Sequence, residues 1–350
     1  MIKIIMLAPS IIIALSLLSC NMAEAKKNYT FAVVPKSTSN PFFQSVESGC
    51  TEQANLLTQG SDSDDIFTCL FTGPVDQDAT EQVAIVKNLI DAGEVDGIAL
   101  SVIDEASGDE IINSATAAGL PIITFDSDAP NSERKAYVGT DNIALGKELA
   151  HMFQSRFTKS PTATGMYAIL SDTNPNLILR EQGIRENLRE GWEEVSGSPT
   201  DFGSSATLGF EQAQDLMKKY PDIAVLFSAA GRPMRAPDDA WAKFAVQYPD
   251  VITISVDNLP EQMELLNRGL VNGLVGQQPF DMGAKSIDTL LKLSQGSDVM
   301  EFVPTDMEVI ARVSPGTPFN SLAGDSPPSG GMVNLPYAPV SLLLLVSLLL

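Results

Sequence analysis

Two hydrophobic periods alternate along the chain. Short, nearly continuous apolar runs give way repeatedly to segments with apolar residues at every third or fourth position. The runs predict buried strands and the wider spacing predicts amphipathic helices. In the first half the predicted strands are Tyr29–Pro35, Ile66–Phe71, Asp96–Ser101 and Pro121–Phe125, followed by an extended piece at Ala136–Gly139. The intervening helices begin at Pro41 and cover Gln77–Ala92 and Glu105–Ala118; in Gln77–Ala92 the core stripe is Val83, Ile85, Val86, Leu89 and Ile90. A helix over Ile143–Ser155 opens a second series. Its strands are Thr164–Leu170, a piece near Pro199–Phe202, Ile223–Ser228, Val251–Val256 and Asn272–Gly276. Its helices are Ile178–Gly191, Leu208–Tyr220, Ala236–Tyr248 and Asp281–Leu293. Repeated β-α units imply parallel sheets with helices on both faces and right-handed crossovers. The expected fold class is α/β, with two similar doubly wound lobes.

Polar and aromatic residues gather where these strands end. Asn40-Pro41-Phe42-Phe43 follows the first strand, with Pro41 suited to a first helical position and Ser39 or Asn40 to the N-cap. Adjacent residues on a helix lie about 100° apart, so Phe42 and Phe43 are expected to diverge. One would enter the sheet and the other face the space beyond the strand ends, where open α/β sheets bind ligands. Asp126 closes a strand and heads the cluster Asp126-Ser127-Asp128. A carboxylate there can accept bonds from two hydroxyls, although aspartates also serve simply as turn residues. Asp257 and Gln277 end strands of the second series, and Arg180 opens a helix after a strand and loop. Its planar fork suits bidentate binding of hydroxyls or a carboxylate; a surface ion pair is the plainer alternative. The one histidine, His151, has no nucleophile or carboxylate motif around it and is read as a surface or packing residue. Trp241 is read as core and Trp192 as packing at a helix end.

Charge narrows the partners. With 22 Lys and Arg against 44 Asp and Glu, the net charge is −22, which disfavours nucleic acid and anionic lipid surfaces. No P-loop, nuclease or dinucleotide fingerprint occurs, and no cofactor or metal is implied. Residues 1–25 have the order of a secretory signal, Lys3 followed by an apolar run. Leu17-Leu18-Ser19-Cys20 looks like a lipobox that would lipidate Cys20, whereas Ala23-Glu24-Ala25 offers ordinary cleavage before Lys26. Residues 319–350 combine a Pro/Gly/Ser-rich linker with an apolar tail. That order is similar to a GPI-attachment signal, with Ser329, Gly330 or Gly331 as attachment points. Asn28-Tyr29-Thr30 is a glycosylation sequon. Either anchor puts the folded body outside the cytoplasm, in the periplasm or at the cell surface. There an oxidising setting favours a disulfide between Cys50 in the first helix and Cys69 in the second strand, over two buried thiols.

Taken together, Asn40-Pro41-Phe42-Phe43, Ile123-Thr124-Phe125-Asp126 and the stretch from Asn272 to Pro279 resemble the ribose-binding-protein branch of the type 1 periplasmic solute-binding proteins. The resemblance runs from about Tyr29 to Leu293. It implies a bilobed receptor whose lobes are joined by three crossovers, near Thr140-Asp141, Gln278-Pro279 and Thr305. The lobes would be 27–140 with 279–305, and 141–278 with 306–318. By position, Phe42 and Phe43 would stack on a sugar, Asn40, Asp126, Asp257 and Gln277 would bind its hydroxyls, and Arg180 would supply the arginine. Ser127 stands where the ribose branch has arginine and Ala230 where it has asparagine, which makes ribose itself a poor choice of ligand. Arg232 or Arg235 then becomes a candidate to enter the pocket. Phe125–Asp128 and Cys69–Pro74 look closer to members for deoxysugars, polyols or furanosyl signals.

The implied function is a non-enzymatic, monomeric receptor that hands a sugar or polyol to a membrane permease. The same body could instead report to a membrane sensor. A glycosidase using Asp126 and Asp257 is the enzymatic alternative. The resemblance disfavours it by assigning the two carboxylates to opposite lobes as hydrogen-bond acceptors.

Overall fold

The computed structural model describes residues 26–311, apart from 62, 63, 159, 161 and 204. The expected signal, Cys20, the GPI-like candidates and the tail 319–350 lie outside the described residues. Two sheets are present. The first contains β1 (Asn28–Val34), β2 (Ile66–Phe71), β3 (Gly97–Leu100), β4 (Ile122–Phe125), β5 (Tyr137–Gly139) and β12 (Phe302–Pro304), ordered β12-β5-β4-β3-β1-β2 and parallel throughout. Its helices are α1 (Pro41–Gly60), α2 (Ala79–Ala92), α3 (Glu105–Ala117) and α9 (Pro279–Ser294).

The second sheet contains β6 (Gly165–Ser171), β7 (Trp192–Glu194), β8 (Thr200–Asp201), β9 (Ile223–Ser228), β10 (Ile252–Val256), β11 (Gly273–Gly276) and β13 (Glu308–Ala311). The order is β13-β11-β10-β9-β6-β7, with β8 also on β6 and only β13 antiparallel. Around it lie α4 (Asn142–Met152), α5 (Pro175–Asn187), α6 (Ala206–Lys219), α7 (Ala240–Gln247) and α8 (Pro260–Arg268). The chain passes between sheets at Thr140-Asp141, at Gln277-Gln278 and at Thr305–Met307.

Period-two alternation explains how the first sheet is buried on both faces. Along β1, Phe31 and Val33 join the core beneath α1 and α9, while Ala32 and Val34 join the core beneath α2 and α3. The helix starts follow from their caps. Asn40 accepts from Phe42 N at 3.2 Å ahead of Pro41, Asp78 accepts from Glu81 N, and Asp141 accepts from Ala144 N. Cys50 and Cys69 are joined as a disulfide, their Cα atoms 5.9 Å apart.

The two lobes repeat each other in detail. Gly49 of α1 meets the Phe280 carbonyl of α9, and Gly283 of α9 meets the Val46 carbonyl of α1; a Cβ at either glycine would overlap backbone. In the second lobe Gly146 of α4 meets Arg180 O of α5, and Gly183 of α5 meets Ile143 O of α4, with the same consequence.

Some local expectations change. Trp192 does not end a helix: α5 stops at Asn187 and Trp192 starts β7, edge-on to Phe153 with ring centroids 4.7 Å apart. The helix expected from Ala236 starts at Ala240, because Pro233 and Pro237 restrict the chain before it to a 3-10 turn, Arg232–Arg235, and a loop. His151 is an exposed residue, as expected, with Glu148 3.6 Å away.

Candidate ligand-binding cleft

The cleft lies where the strands of both sheets end. Lys36 follows β1, Ser101 follows β3 and Asp126 follows β4; Asp172 follows β6, Ala230 follows β9, Asp257 follows β10 and Gln277 follows β11. Asp126 and Asp257 occupy equivalent places in the two sheets, and both have left-handed backbones, φ 56° and 74°. Aspartate tolerates that region better than most residues. The turn it makes brings each carboxylate back over its strand end.

Asp126 is 3% exposed and is held from several sides. Its Oδ2 receives Ser101 Oγ and Lys36 Nζ, each at 2.9 Å, and its Oδ1 receives Asn176 Nδ2 from the other lobe at 3.4 Å. Lys36 also donates to Asn176 Oδ1 at 3.3 Å. In the second lobe, Gln277 Nε2 donates to Asp257 Oδ1 at 2.8 Å and Gly231 N to Oδ2 at 3.2 Å. Arg180 is buried, and its three nitrogens donate to Asn142 Oδ1, Ala229 O and Gln277 Oε1 at 2.9, 2.9 and 3.0 Å. Each η nitrogen retains a second N–H. The surface ion-pair reading of Arg180 is therefore replaced by a buried fork bound to neutral acceptors.

These groups enclose a cavity of about 50 Å³ between the lobes, lined by Lys36, Asn40, Phe42, Phe43, Gln77, Asp126, Asp172, Asn174, Asn176, Leu177, Arg180, Ala230, Arg232, Asp257 and Gln277. The lining carries three acidic and three basic side chains, so its formal charge is balanced. Phe42 and Phe43 both line it, against the expectation that they diverge. Both also pack in the core of the first lobe, edge-on to each other at 5.1 Å, because the first turn of α1 is itself the cleft wall. Ser127 is the residue that fails to reach the site. It is fully buried behind Asp126, is absent from the lining, and its Oγ has no hydrogen-bond partner. The tight Asp126 turn points it away.

Several cleft residues were invisible to sequence reasoning. Lys36 reads as part of a polar turn, and Gln77, Asp172, Asn174 and Asn176 read as helix start or loop. One signal was available: Asn174-Pro175 at the start of α5 repeats Asn40-Pro41 at the start of α1. Arg232 lines the cavity and donates to Gln77 across the cleft at 3.2 Å, with Asp172 3.6 Å away. Burial pulls the Arg232 pKa below the usual guanidinium range, opposed by Asp172. Arg235 bonds Asn40 Oδ1 at 3.0 Å from outside the lining. Gln77 in turn donates to Asn174 at 2.8 Å.

A buried chain of bonds runs behind the cleft. Asn142 links Arg180 to the Tyr137 hydroxyl at 3.1 Å, and that hydroxyl lies 2.9 Å from Asp126 O and 3.1 Å from Thr140 O. Burial, reinforced by Asp126 and Asp128, drives the Tyr137 pKa far above the ordinary phenol value, so the phenol stays protonated.

Residues 31–298 match the periplasmic binding protein domain family. Among curated proteins, the chain is similar to the ribose import binding protein of Escherichia coli, 22% identical over 321 residues that cover 87% of this chain and 97% of that one. It is also similar to the D-allose-binding periplasmic protein of Escherichia coli, 23% identical, covering 77% and 86%. Among solved structures, a glucose-galactose binding protein from Geobacillus stearothermophilus superposes with a TM-score of 0.69 at 27% identity, over 82% of this chain and 98% of that one. A solute-binding protein from Burkholderia graminis in complex with D-arabinose gives a TM-score of 0.71 at 24% identity, over 83% and 97%. The chain belongs to the periplasmic binding protein domain family, in its ribose-binding-like, type 1 branch.

Proposed function

We propose that this protein captures a single small sugar or polyol between its lobes and delivers it to an ABC-type permease. The observation that carries the reading is the lining of the cleft. Phe42 and Phe43 offer aromatic surface beside a ring of planar polar groups, Asn40, Asp126, Arg180, Asp257 and Gln277, drawn from both lobes. A sugar has C–H faces and a hydroxyl rim, and this lining matches both. Relatives named for ribose, D-allose and glucose-galactose support the chemical class. The balanced charge of the lining favours a neutral ligand. Ser127 is left out of the ligand set and Lys36, Asn176 and Arg232 are added to it. The lobes are proposed as 27–140 with 279–305 and 141–278 with 306–318, the described part of the last stretch ending at 311. Export through the N-terminal signal, processed before Cys20 so that Cys20 carries the anchor, completes the proposal; loss of lipid labelling in Cys20→Ala tests that part.

The test of ligand class is a thermal-shift panel of pentoses, hexoses, deoxysugars and polyols on the purified protein. A ligand at 100 times its Kd adds about 2.7 kcal/mol of stability, which raises the midpoint by several degrees. The expected result is a hit that disappears in Asp126→Ala and in Phe43→Ala and survives in His151→Ala. A folded protein with no hit, or a hit indifferent to both cleft substitutions, would reject the reading.

A further inference from the structure

A second cavity, of about 490 Å³, lies between the lobes on the hinge side of the cleft. That volume is in the range of small-molecule sites. Its apolar wall is made by Ile178 and Leu179 on α5, Ile143 on α4 and the Tyr137–Phe302 ring pair, stacked at 5.5 Å. Ile178, at 52% exposure, and Phe302, at 38%, are open to solvent there.

The polar part of the lining has one sign to spare. Arg134 is bound by both oxygens of Asp128, Nε to Oδ1 at 2.5 Å and Nη2 to Oδ2 at 2.7 Å. Glu105, Asp141 and Glu301 also line the groove, and among the described residues none of them is in an ion pair. Glu105 receives only the Asn131 amide, and Asp141 caps α4. An apolar wall with unpaired carboxylates beside it complements a cation with an apolar body.

We propose that this groove is a second ligand site, for a small organic ammonium ion with a flat apolar body, coupled to the cleft through Asn176 and Tyr137. Asn176 lines both cavities and bonds Asp126 and Lys36. The Tyr137 ring walls the groove while its hydroxyl holds Asp126 O and Asn142. Both lobes contribute to the wall, so an occupant binds best when the lobes are arranged as they are here. A ligand bound to one arrangement shifts the population towards it, and the coupling is reciprocal. The coupling rests on the sugar-binding reading; the site itself does not.

The experiment uses the full chain and three probes of one shape: 2-phenylethylammonium, 3-phenylpropionate and 2-phenylethanol, compared by ligand-observed NMR and calorimetry. The ammonium is expected to bind at least about fivefold more tightly than the other two, the scale of one charge pair. Glu105→Gln with Glu301→Gln removes that preference, and Ile178→Lys abolishes ammonium binding. Neither change alters the unfolding midpoint appreciably or the affinity for a sugar identified by the panel. With that sugar bound, the ammonium binds more tightly. Equal binding of the three probes, no binding of the ammonium, or binding that survives Ile178→Lys would overturn the site. A site confirmed without mutual strengthening would overturn the coupling alone. The probe arm needs no sugar, so its outcome is separate from that of the thermal-shift panel.

Discussion

The buried ion pair of Lys36 with Asp126 joins stability to recognition in two residues. Their side chains are 8% and 4% exposed, so each charge depends on the other and on Ser101 and Asn176 for compensation. Removing one partner of such a pair leaves a buried charge and typically costs about 3–5 kcal/mol. Lys36→Met is therefore expected to lower unfolding stability by about that amount in urea titration. Adding Asp126→Asn removes the orphaned charge and is expected to recover most of the stability while sugar binding remains lost. Recovery of binding together with stability would show that the pair only supports the fold. Tyr137→Phe is a second, gentler probe. It deletes a hydroxyl outside the cleft that contacts Asp126 O, Thr140 O and Asn142. A loss of about 1–3 kcal/mol in stability is expected, with weakened sugar affinity as the sign that the Asp126 turn has moved. Unaltered affinity would confine Tyr137 to a packing role.

The helix pairs carry the next level of organisation. α1 with α9 and α4 with α5 approach closely enough that reciprocal glycines touch the facing backbone. Both α1 and α5 also present their first turns to the cleft, so helix spacing sets the position of Phe42, Phe43, Asn176 and Arg180. Gly183→Ala places a Cβ on Ile143 O and next to Gly146 Cα. Overpacking of this kind typically costs about 1–3 kcal/mol, and here backbone must shift. Calorimetric unfolding should show the loss, and sugar affinity should fall with it because Arg180 rides on the same helix. Gly119→Ala is the contrast: nothing lies within 4 Å of its added Cβ, although its φ of 78° still imposes a backbone cost. It should destabilise without changing affinity. At this scale the sequence was largely legible. Strand ends such as Phe71, Phe125 and Ser228 were placed by period-two and apolar-run patterns, and Asn40-Pro41 announced α1 by its cap. The short edge strand β7 was hidden because three residues carry no period, whereas β8 falls within the piece expected near Pro199–Phe202. Lys36 was hidden for a different reason: a lysine is charged on the page, and only the fold shows that Asp126 folds back onto it. The displaced start of α7 was readable from Pro237, since the residue before a proline avoids the helical region.

Closure of the whole molecule depends on bonds that cross the cleft as well as on any ligand. Arg235 bonds Asn40, Arg232 bonds Gln77, Gln77 bonds Asn174, and Asn176 bonds Asp126 and Lys36. All of these pair one lobe with the other, whereas the three chain passages at Thr140-Asp141, Gln277-Gln278 and Thr305–Met307 are short and fix only the hinge side. Each cross-cleft bond is worth roughly 0.5–1.5 kcal/mol, and those to charged groups about 1.5–3 kcal/mol. A few of them are comparable to the free energy that separates open from closed states in two-state receptors. Gln77→Ala with Arg235→Ala removes three of these clasps, the Arg232–Gln77, Gln77–Asn174 and Arg235–Asn40 bonds, and leaves the cores of both lobes intact. The apparent affinity of a ligand falls by the fraction of molecules in the competent state, so the double variant should bind its sugar more weakly at unchanged unfolding stability. Small-angle scattering without sugar should show a larger radius of gyration than the parent, and saturating sugar should bring the two together. If scattering and affinity both stay at parental values, the clasps do not govern closure, and the hinge-side network through Asn142 and Tyr137 must set the lobe angle instead.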